Sequence, residues 1–199
     1  MNNQPTTTKL LAAAALAFTL GTTNAIAQTE YFVGAGLGTS KLSVDYKYYD
    51  DFFNVSESGS ESESDTLFYV RGGAVFNGDI RAYATFSKVG YDDLDQITLS
   101  ASADKLFPVN NEMSFYAGGT LGLTSFDLDD IGKESGWLAG VQGGIFYQAT
   151  PAIGVDLGVS YSITTAEFEE KETLTLGSIT YTDEFESVLA FKVGVDYKF

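Results

Sequence analysis

The sequence predicts an all-β fold, an eight-stranded antiparallel up-and-down transmembrane β-barrel, on three observations. Apolar residues alternate with small or charged ones, period two, along eight separate segments. Short turns and long polar stretches alternate as the connections between them. Beyond Ala27 no run approaches the ~18 consecutive apolar residues of a membrane helix. A chain that meets lipid without such a helix must do so as a closed barrel, whose strands satisfy every backbone N–H and C=O among themselves.

The barrel domain is expected to run from Gln28 to Phe199, because residues 1–27 read as a signal peptide. Lys9 is the only charge there, Leu10 to Leu20 forms a short Leu/Ala-rich apolar core, and Ala25-Ile26-Ala27 offers the small-x-small cleavage pattern. The whole chain carries a formal charge of −16, with 11 Lys and Arg against 27 Asp and Glu. So acidic a balance excludes a nucleic-acid partner, which needs clustered Lys and Arg. It suits cationic partners, divalent ions or simple solvation. There is no Cys and no His. That excludes disulfides and thiolate metal sites, and it removes the usual general base and transition-metal ligand. No cofactor is expected.

In chain order, the first strand sets Tyr31, Val33, Ala35 and Leu37 against Gly34, Gly36 and Gly38. The second sets Phe68, Val70, Ala74 and Phe76 against Tyr69, Arg71 and Gly73, and the third sets Ala82, Ala84 and Phe86 against Arg81, Thr85 and Ser87. The fourth opposes Ile97, Leu99, Ala101 and Ala103 to Gln96, Thr98, Ser100, Ser102 and Asp104. The fifth opposes Phe115, Ala117, Leu121 and Leu123 to Ser114, Gly118, Thr120, Gly122 and Thr124. Trp137, Ala139, Val141, Ile145 and Tyr147 mark the sixth, and Ile153 to Thr164 alternates without a break as the seventh. The last runs from Phe185 to Phe199, with Phe185, Leu189, Phe191, Val193, Val195, Tyr197 and Phe199 on one face.

Asn77-Gly78-Asp79, Pro108 to Asn111 and Ala149-Thr150-Pro151 carry short-turn chemistry. The other connections, roughly Val44 to Ser64, Gly90 to Asp95, Phe126 to Ser135 and Thr165 to Glu184, are long and polar. Short turns at one end and long loops at the other is the outer-membrane pattern, with the turns periplasmic. Both chain ends then fall on the periplasmic side. Gly, Ser and Thr share a face with Asp, Arg and Lys, so the barrel must be inside-out, apolar toward lipid and small or charged toward the lumen. Phe76, Phe115, Tyr147, Tyr197 and Phe199 near the turns, and Phe68, Phe86, Trp137 and Tyr161 near the loops, fit two interfacial girdles.

With these strands in place, the chain resembles the small outer-membrane barrels of the OmpA/OmpX type and the opacity-protein-like porin superfamily. The resemblance covers Gln28 to Phe199, and its most specific element is the terminal strand Phe191, Val193, Val195, Tyr197 and Phe199. It implies that this strand is the signal read by the outer-membrane assembly machinery. It also implies localisation in the Gram-negative outer membrane, in contact with the lipid bilayer and lipopolysaccharide. Enzymatic barrels of this class use His-containing sites, and with no His none of their residues carries over. A non-enzymatic protein is expected, with a structural or surface-interaction role.

Six charged residues are expected in the lumen: Arg71, Arg81, Asp104, Asp156, Lys192 and Asp196. Isolated burial of any of them is costly, so pairing is expected. An eight-stranded barrel is only just wide enough for its own side chains. A network centred on Arg71, Asp156 and Lys192 is therefore expected to plug it; the alternative is a narrow porin passing small solutes or ions. Segments 44–64 and 165–184 are the candidate contacts for an extracellular ligand. Ser56 to Asp65 reads as a low-complexity mobile loop, beside exposed Tyr46, Tyr48, Tyr49, Phe52 and Phe53. Asp127, Asp129, Asp130 and Gly132 suggest a calcium loop. They fail its pattern, which needs an oxygen ligand where Ile131 stands and a Glu where Leu138 stands.

Overall fold

The computed structural model describes residues 29–50, 55–91, 94–128, 132–174 and 177–199. The expected signal peptide, residues 1–27, lies outside them. The strands are β1 (Thr29–Asp50), β2 (Val55–Phe76), β3 (Ile80–Gly90), β4 (Leu94–Pro108), β5 (Met113–Leu128), β6 (Gly132–Gln148), β7 (Ile153–Thr164), β8 (Glu167–Leu174) and β9 (Gly177–Lys198).

All neighbours pair antiparallel, and β9 closes the sheet against β1, from Phe32↔Lys198 upward. The nine segments make eight staves, because β7 and β8 lie in succession along the same edge of β9. β7 covers β9 from Tyr197 to Ser187, and β8 covers it from Glu184 to Gly177. The barrel is thus eight-stranded, antiparallel and closed.

Turn chemistry sets the lower end. Asn77 and Gly78 both take positive φ (51° and 74°), and the Asp79 N–H donates to the Phe76 carbonyl at 3.1 Å. This is a two-centre primed turn, whose twist suits a tight hairpin. The Asn110 side-chain oxygen accepts from the N–H groups of Glu112 (2.9 Å) and Met113 (2.8 Å), and the Thr150 hydroxyl accepts from Ile153 N–H at 3.0 Å. The Asn110 side chain takes up turn N–H groups, and the Thr150 hydroxyl shares the Ile153 N–H with the Thr150 carbonyl, which accepts it at 3.2 Å.

The outer surface carries Val33, Leu37, Phe68, Val70, Leu121, Val141, Leu157, Ile163, Phe191, Val193 and Val195, all exposed. In water such a belt would be an aggregation surface; in hydrocarbon it is the solvated one. Phe115, Tyr147, Tyr197 and Phe199 ring the turn end, and Phe68, Phe86, Trp137 and Tyr161 are exposed nearer the other. Tyr31 and Tyr197 each stack on Phe199, with ring centroids 6.5 Å apart in both pairs.

The structure corrects the sequence reading above the membrane. The stretch expected to be a long polar connection from Val44 to Ser64, with a mobile part from Ser56 to Asp65, is mostly strand, with β1 and β2 paired without interruption from Thr29↔Phe76 to Asp50↔Val55. Most of 165–184 is strand as well, in β8 and β9, and the connections at 90–95 and 126–135 shrink because β3 to β6 extend into them. A hairpin already in register extends one residue pair at a time, and alternating Ser and Glu fits the pleat as well as alternating Val and Gly. Lacking an apolar face, this part leaves no sequence mark of being a strand.

One further correction concerns the last strand. Ser43 pairs with Ser187 but Val44 pairs with Phe185, so Glu186 is an extra residue in a bulge. The even alternation expected from Phe185 to Phe199 therefore breaks at Glu186.

Candidate functional site in the barrel lumen

Inward positions follow from the pleat: even residues of β1 and β9, odd residues of β2 and β3, even residues of β4 to β7. These bring Arg71, Arg81, Asp104, Asp156 and Asp196 together, each no more than 8% exposed. Arg71 donates from Nε and Nη2 to the two oxygens of Asp196, both at 2.9 Å, a bidentate fork. Its Nη2 also lies 3.3 Å from Asp156 Oδ2. Arg81 donates from Nε (3.1 Å) and Nη2 (2.8 Å) to Asp104 Oδ2, and from Nη1 to Asp156 Oδ2 at 2.9 Å. Asp156, on β7, therefore bridges the two guanidinium groups.

Neutral partners complete the shell. The Tyr116 hydroxyl donates to Asp156 Oδ1 at 3.0 Å, and Gln142 Nε2 donates to Asp104 Oδ1 at 2.6 Å and to the Tyr83 hydroxyl at 2.7 Å. Aromatic rings cover the faces of the guanidinium groups. Arg81 Cζ lies 4.6 Å from the Tyr116 ring centre, 5.1 Å from Tyr83 and 5.6 Å from Phe146. Arg71 Cζ lies 5.3 Å from Tyr83 and 6.0 Å from Phe32. A guanidinium held in its plane by carboxylates and on its faces by rings has exchanged its hydration for fixed partners.

Glycine provides the room. A Cβ on Gly34 would lie 2.0 Å from Asp196 Oδ1, and one on Gly158 would lie 2.2 Å from the Tyr116 hydroxyl. Large side chains on one stave therefore rest on bare backbone of another.

Lys192 is placed differently from the sequence expectation, which put it at the network's centre with Arg71 and Asp156. It makes no ion pair among the described residues. A single ammonium on a flexible stem has no planar fork with which to bridge carboxylates, and the two arginines occupy those positions. Lys192 instead lines a cavity of about 80 Å³ above the network, with Arg71, Tyr69 and the hydroxyls of Thr85, Ser100, Ser102, Thr120 and Ser160 around it. That space has room for more than one water at the ~10–15 Å³ minimum each requires. With Lys192 counted, three cations face three carboxylates in the lumen.

Above the chamber the lumen turns apolar. Leu42, Leu67, Tyr69, Val89, Tyr91, Phe126, Ala166 and Ala190 pack together, with Val44, Leu94 and Val188 against them. The Tyr91 hydroxyl donates to Ser40 Oγ at 2.9 Å, and Gln96 Nε2 donates to Thr124 Oγ1 at 3.1 Å, tying the collar to the hydroxyls below. Burial pushes the Tyr91 phenol up to about 12, so it keeps the proton it donates.

The aromatic shell and the collar were not anticipated from sequence. Phe32, Tyr83, Tyr116 and Phe146 stand at the inward parity of their strands, and Phe32, Tyr116 and Phe146 each lie two residues from an inward glycine. Parity would have placed them in the lumen. The terminal residues Phe191, Val193, Val195, Tyr197 and Phe199 all face outward, 46% to 72% exposed. Of the suggested calcium loop, Asp127 pairs with Lys133 Nζ at 2.7 Å; Asp129, Asp130 and Ile131 lie outside the described residues. So do Phe52 and Phe53, while the Tyr46 ring lies across Gly59.

No family model matches the sequence, and no curated protein matches it. Among solved structures, Neisserial surface protein A aligns with a TM-score of 0.57 at 18% identity, over 83% of this chain and 99% of that one. Outer membrane protein H (OprH) from P. aeruginosa aligns with a TM-score of 0.54 at 25% identity, over 85% and 99%. The outer membrane protein OprG from Pseudomonas aeruginosa aligns with a TM-score of 0.51 at 13% identity, over 85% and 96%. What these share with the chain is the fold.

Proposed function

With the small outer-membrane barrel fold of the OmpA/OmpX type as premise, we propose that the protein is a non-enzymatic integral outer-membrane barrel. Its role in this reading is structural or surface-directed, and its lumen is closed. The mature domain, 28–199, sits in the bilayer with lipopolysaccharide around its outer half and both termini in the periplasm. The observation that carries the closed lumen is the Arg71, Arg81, Asp104, Asp156 and Asp196 network with its aromatic cover. Ion passage would require those charges to part in a space with no bulk water to receive them.

Planar-bilayer recording on refolded protein tests this. The expected trace shows small, rare openings, and Arg71→Ala, which removes the fork to Asp196, is expected to raise both open probability and conductance. Steady channels of nanosiemens size in the unaltered protein would overturn the closed lumen. They would favour the second reading, a narrow porin, which draws its support from the hydroxyl-lined chamber around Lys192.

The terminal strand fits the role of an assembly signal in this reading. Its side chains are exposed before lipid covers them, and Phe199 is the most exposed of the five at 72%. Phe199→Ala is expected to lower the fraction of protein reaching the heat-modifiable form in cells several-fold. Refolding into detergent should change little, since the side chain is exposed and stacks on the surface rings of Tyr31 and Tyr197. Equal losses in both settings would assign Phe199 to barrel stability instead.

A further inference from the structure

We propose that the chamber above the charge network binds a small monovalent anion of halide size, held by Lys192, Arg71 and Tyr69. The proposal rests on the closed-lumen reading and gives that lumen a ligand. The chamber, about 80 Å³, lies between the network of two arginines and three aspartates below and the apolar collar above. Among the described residues its charged lining is Arg71 and Lys192, both cations, and no Asp or Glu faces it. The other walls are apolar, hydroxyl and amide side chains.

The carboxylates of the lumen are engaged lower down. Asp196 accepts the Arg71 fork, Asp104 accepts from Arg81 and Gln142, and Asp156 accepts from Arg81 and Tyr116. Lys192 balances the third of these charges over the lumen as a whole, yet none of the three carboxylates is paired with it. An ammonium kept from bulk water, with its counter-charges committed to other cations, attracts an anion that can settle beside it. Water hydrates such a group but brings no charge.

Donors without a protein acceptor meet in the same space. Tyr69 Oη is buried and has no hydrogen-bond partner among the described residues. Its ring end rests on bare backbone: a Cβ on Gly194 would lie 2.1 Å from Tyr69 Oη, and one on Gly36 would lie 2.5 Å from it. The hydroxyl is thus fixed in place at the level of Gly194, the inward position of β9 next below Lys192. Gly38 and Gly158 flank Lys192 on the neighbouring strands, which leaves its stem room to reach inward. Arg71 spends Nε and Nη2 on the carboxylates, and Nη1 takes part in none of those bonds. Lysine and arginine can only donate, and a phenol can donate as well as accept, so the set suits an anion and gives a cation nothing to bind. The collar above, where Phe126 is 0% exposed, favours an ion small enough to pass it.

The test uses the mature protein refolded in zwitterionic detergent, with sodium gluconate exchanged for sodium chloride or bromide at constant ionic strength. The chloride NMR line width reports binding, and the urea midpoint reports its effect on the fold. The unaltered protein is expected to broaden the chloride line saturably, with bromide competing, and to gain stability when chloride replaces gluconate. Lys192→Met, which keeps an unbranched stem, should weaken chloride binding at least ~10-fold. Tyr69→Phe keeps the ring over Gly36 and Gly194 and removes only the hydroxyl, so it should weaken binding several-fold with the barrel intact by heat-modifiable migration. Lys41→Met, at an exposed lysine on the outside of β1, should leave binding unchanged. Crystals grown in bromide should show an anomalous peak inside the chamber. Equal broadening by the unaltered protein, Lys192→Met and Tyr69→Phe would assign the halide to the surface and overturn the proposal. So would a chamber without bromide, which would leave Lys192 hydrated by water alone. Bilayer recording separates this from the parent reading: small, rare openings without halide binding reject the anion site and leave the closed lumen in place, whereas steady nanosiemens channels overturn both.

Discussion

Truncating Arg81 to alanine is expected to lower the unfolding free energy of the barrel by about 3–5 kcal/mol, the cost of leaving buried carboxylates without their cation. Arg81 is 2% exposed and reaches both Asp104 and Asp156. Without it, Asp104 keeps only the Gln142 amide, and Asp156 keeps Arg71 and the Tyr116 hydroxyl. Three rings also lose the cation that they flank. Urea titration followed by heat-modifiable gel migration measures the loss. The double variant Arg81→Ala, Asp104→Asn removes a charge of each sign, so it should recover part of the loss, and the cycle should show coupling above ~1 kcal/mol. A loss under ~1 kcal/mol for Arg81→Ala would mean that water enters and solvates the carboxylates, and the closed lumen would fall with it.

How far this network could be read from the sequence follows from what each feature requires. Isolated charges on the face that carries the alternating Gly, Ser and Thr mark the lumen, because lipid on the other side excludes them. All six named residues are found on that face. Which charge meets which depends on the stagger of the staves around the barrel, and the strand pattern does not carry it. Arg81 on β3 and Asp156 on β7 meet across the lumen. Lys192, assigned to the centre by depth alone, stands to one side. The strands within the membrane were legible because lipid enforces alternation, as from Ile153 to Thr164. Above the rim that constraint ends: Ser56 to Asp65 is a strand because β1 lies in register beside it, a long-range fact that its own side chains do not announce.

Two adjacent glycines on β5 separate the lumen from the lipid side more sharply than any charged residue. Gly118 faces inward opposite Asp104 on β4 and Gln142 on β6. A Cβ there would lie 2.2 Å from the Ala103 carbonyl oxygen, 2.2 Å from Asp104 Oδ1 and 2.8 Å from Asp104 Cα. Two of these three contacts are backbone atoms in a paired strand, which cannot swing aside as a side-chain tip can. Gly119 faces outward, and its added Cβ would meet only the Gly140 carbonyl oxygen, at 3.6 Å, an ordinary contact. Gly118→Val is therefore expected to cost more than ~3 kcal/mol, the upper end of overpacking, because it also pushes Asp104 from Arg81. Gly119→Val should be neutral within ~0.5 kcal/mol or stabilising, since it adds a β-branched apolar side chain to a lipid-facing strand. The two variants have the same composition and differ by one position in the chain, so urea midpoints of the refolded proteins compare the two faces directly. Similar midpoints would mean that the lumen at this level is loose enough to admit a side chain. In that case the glycine opposite each large inward group would no longer account for the tight fit of the network.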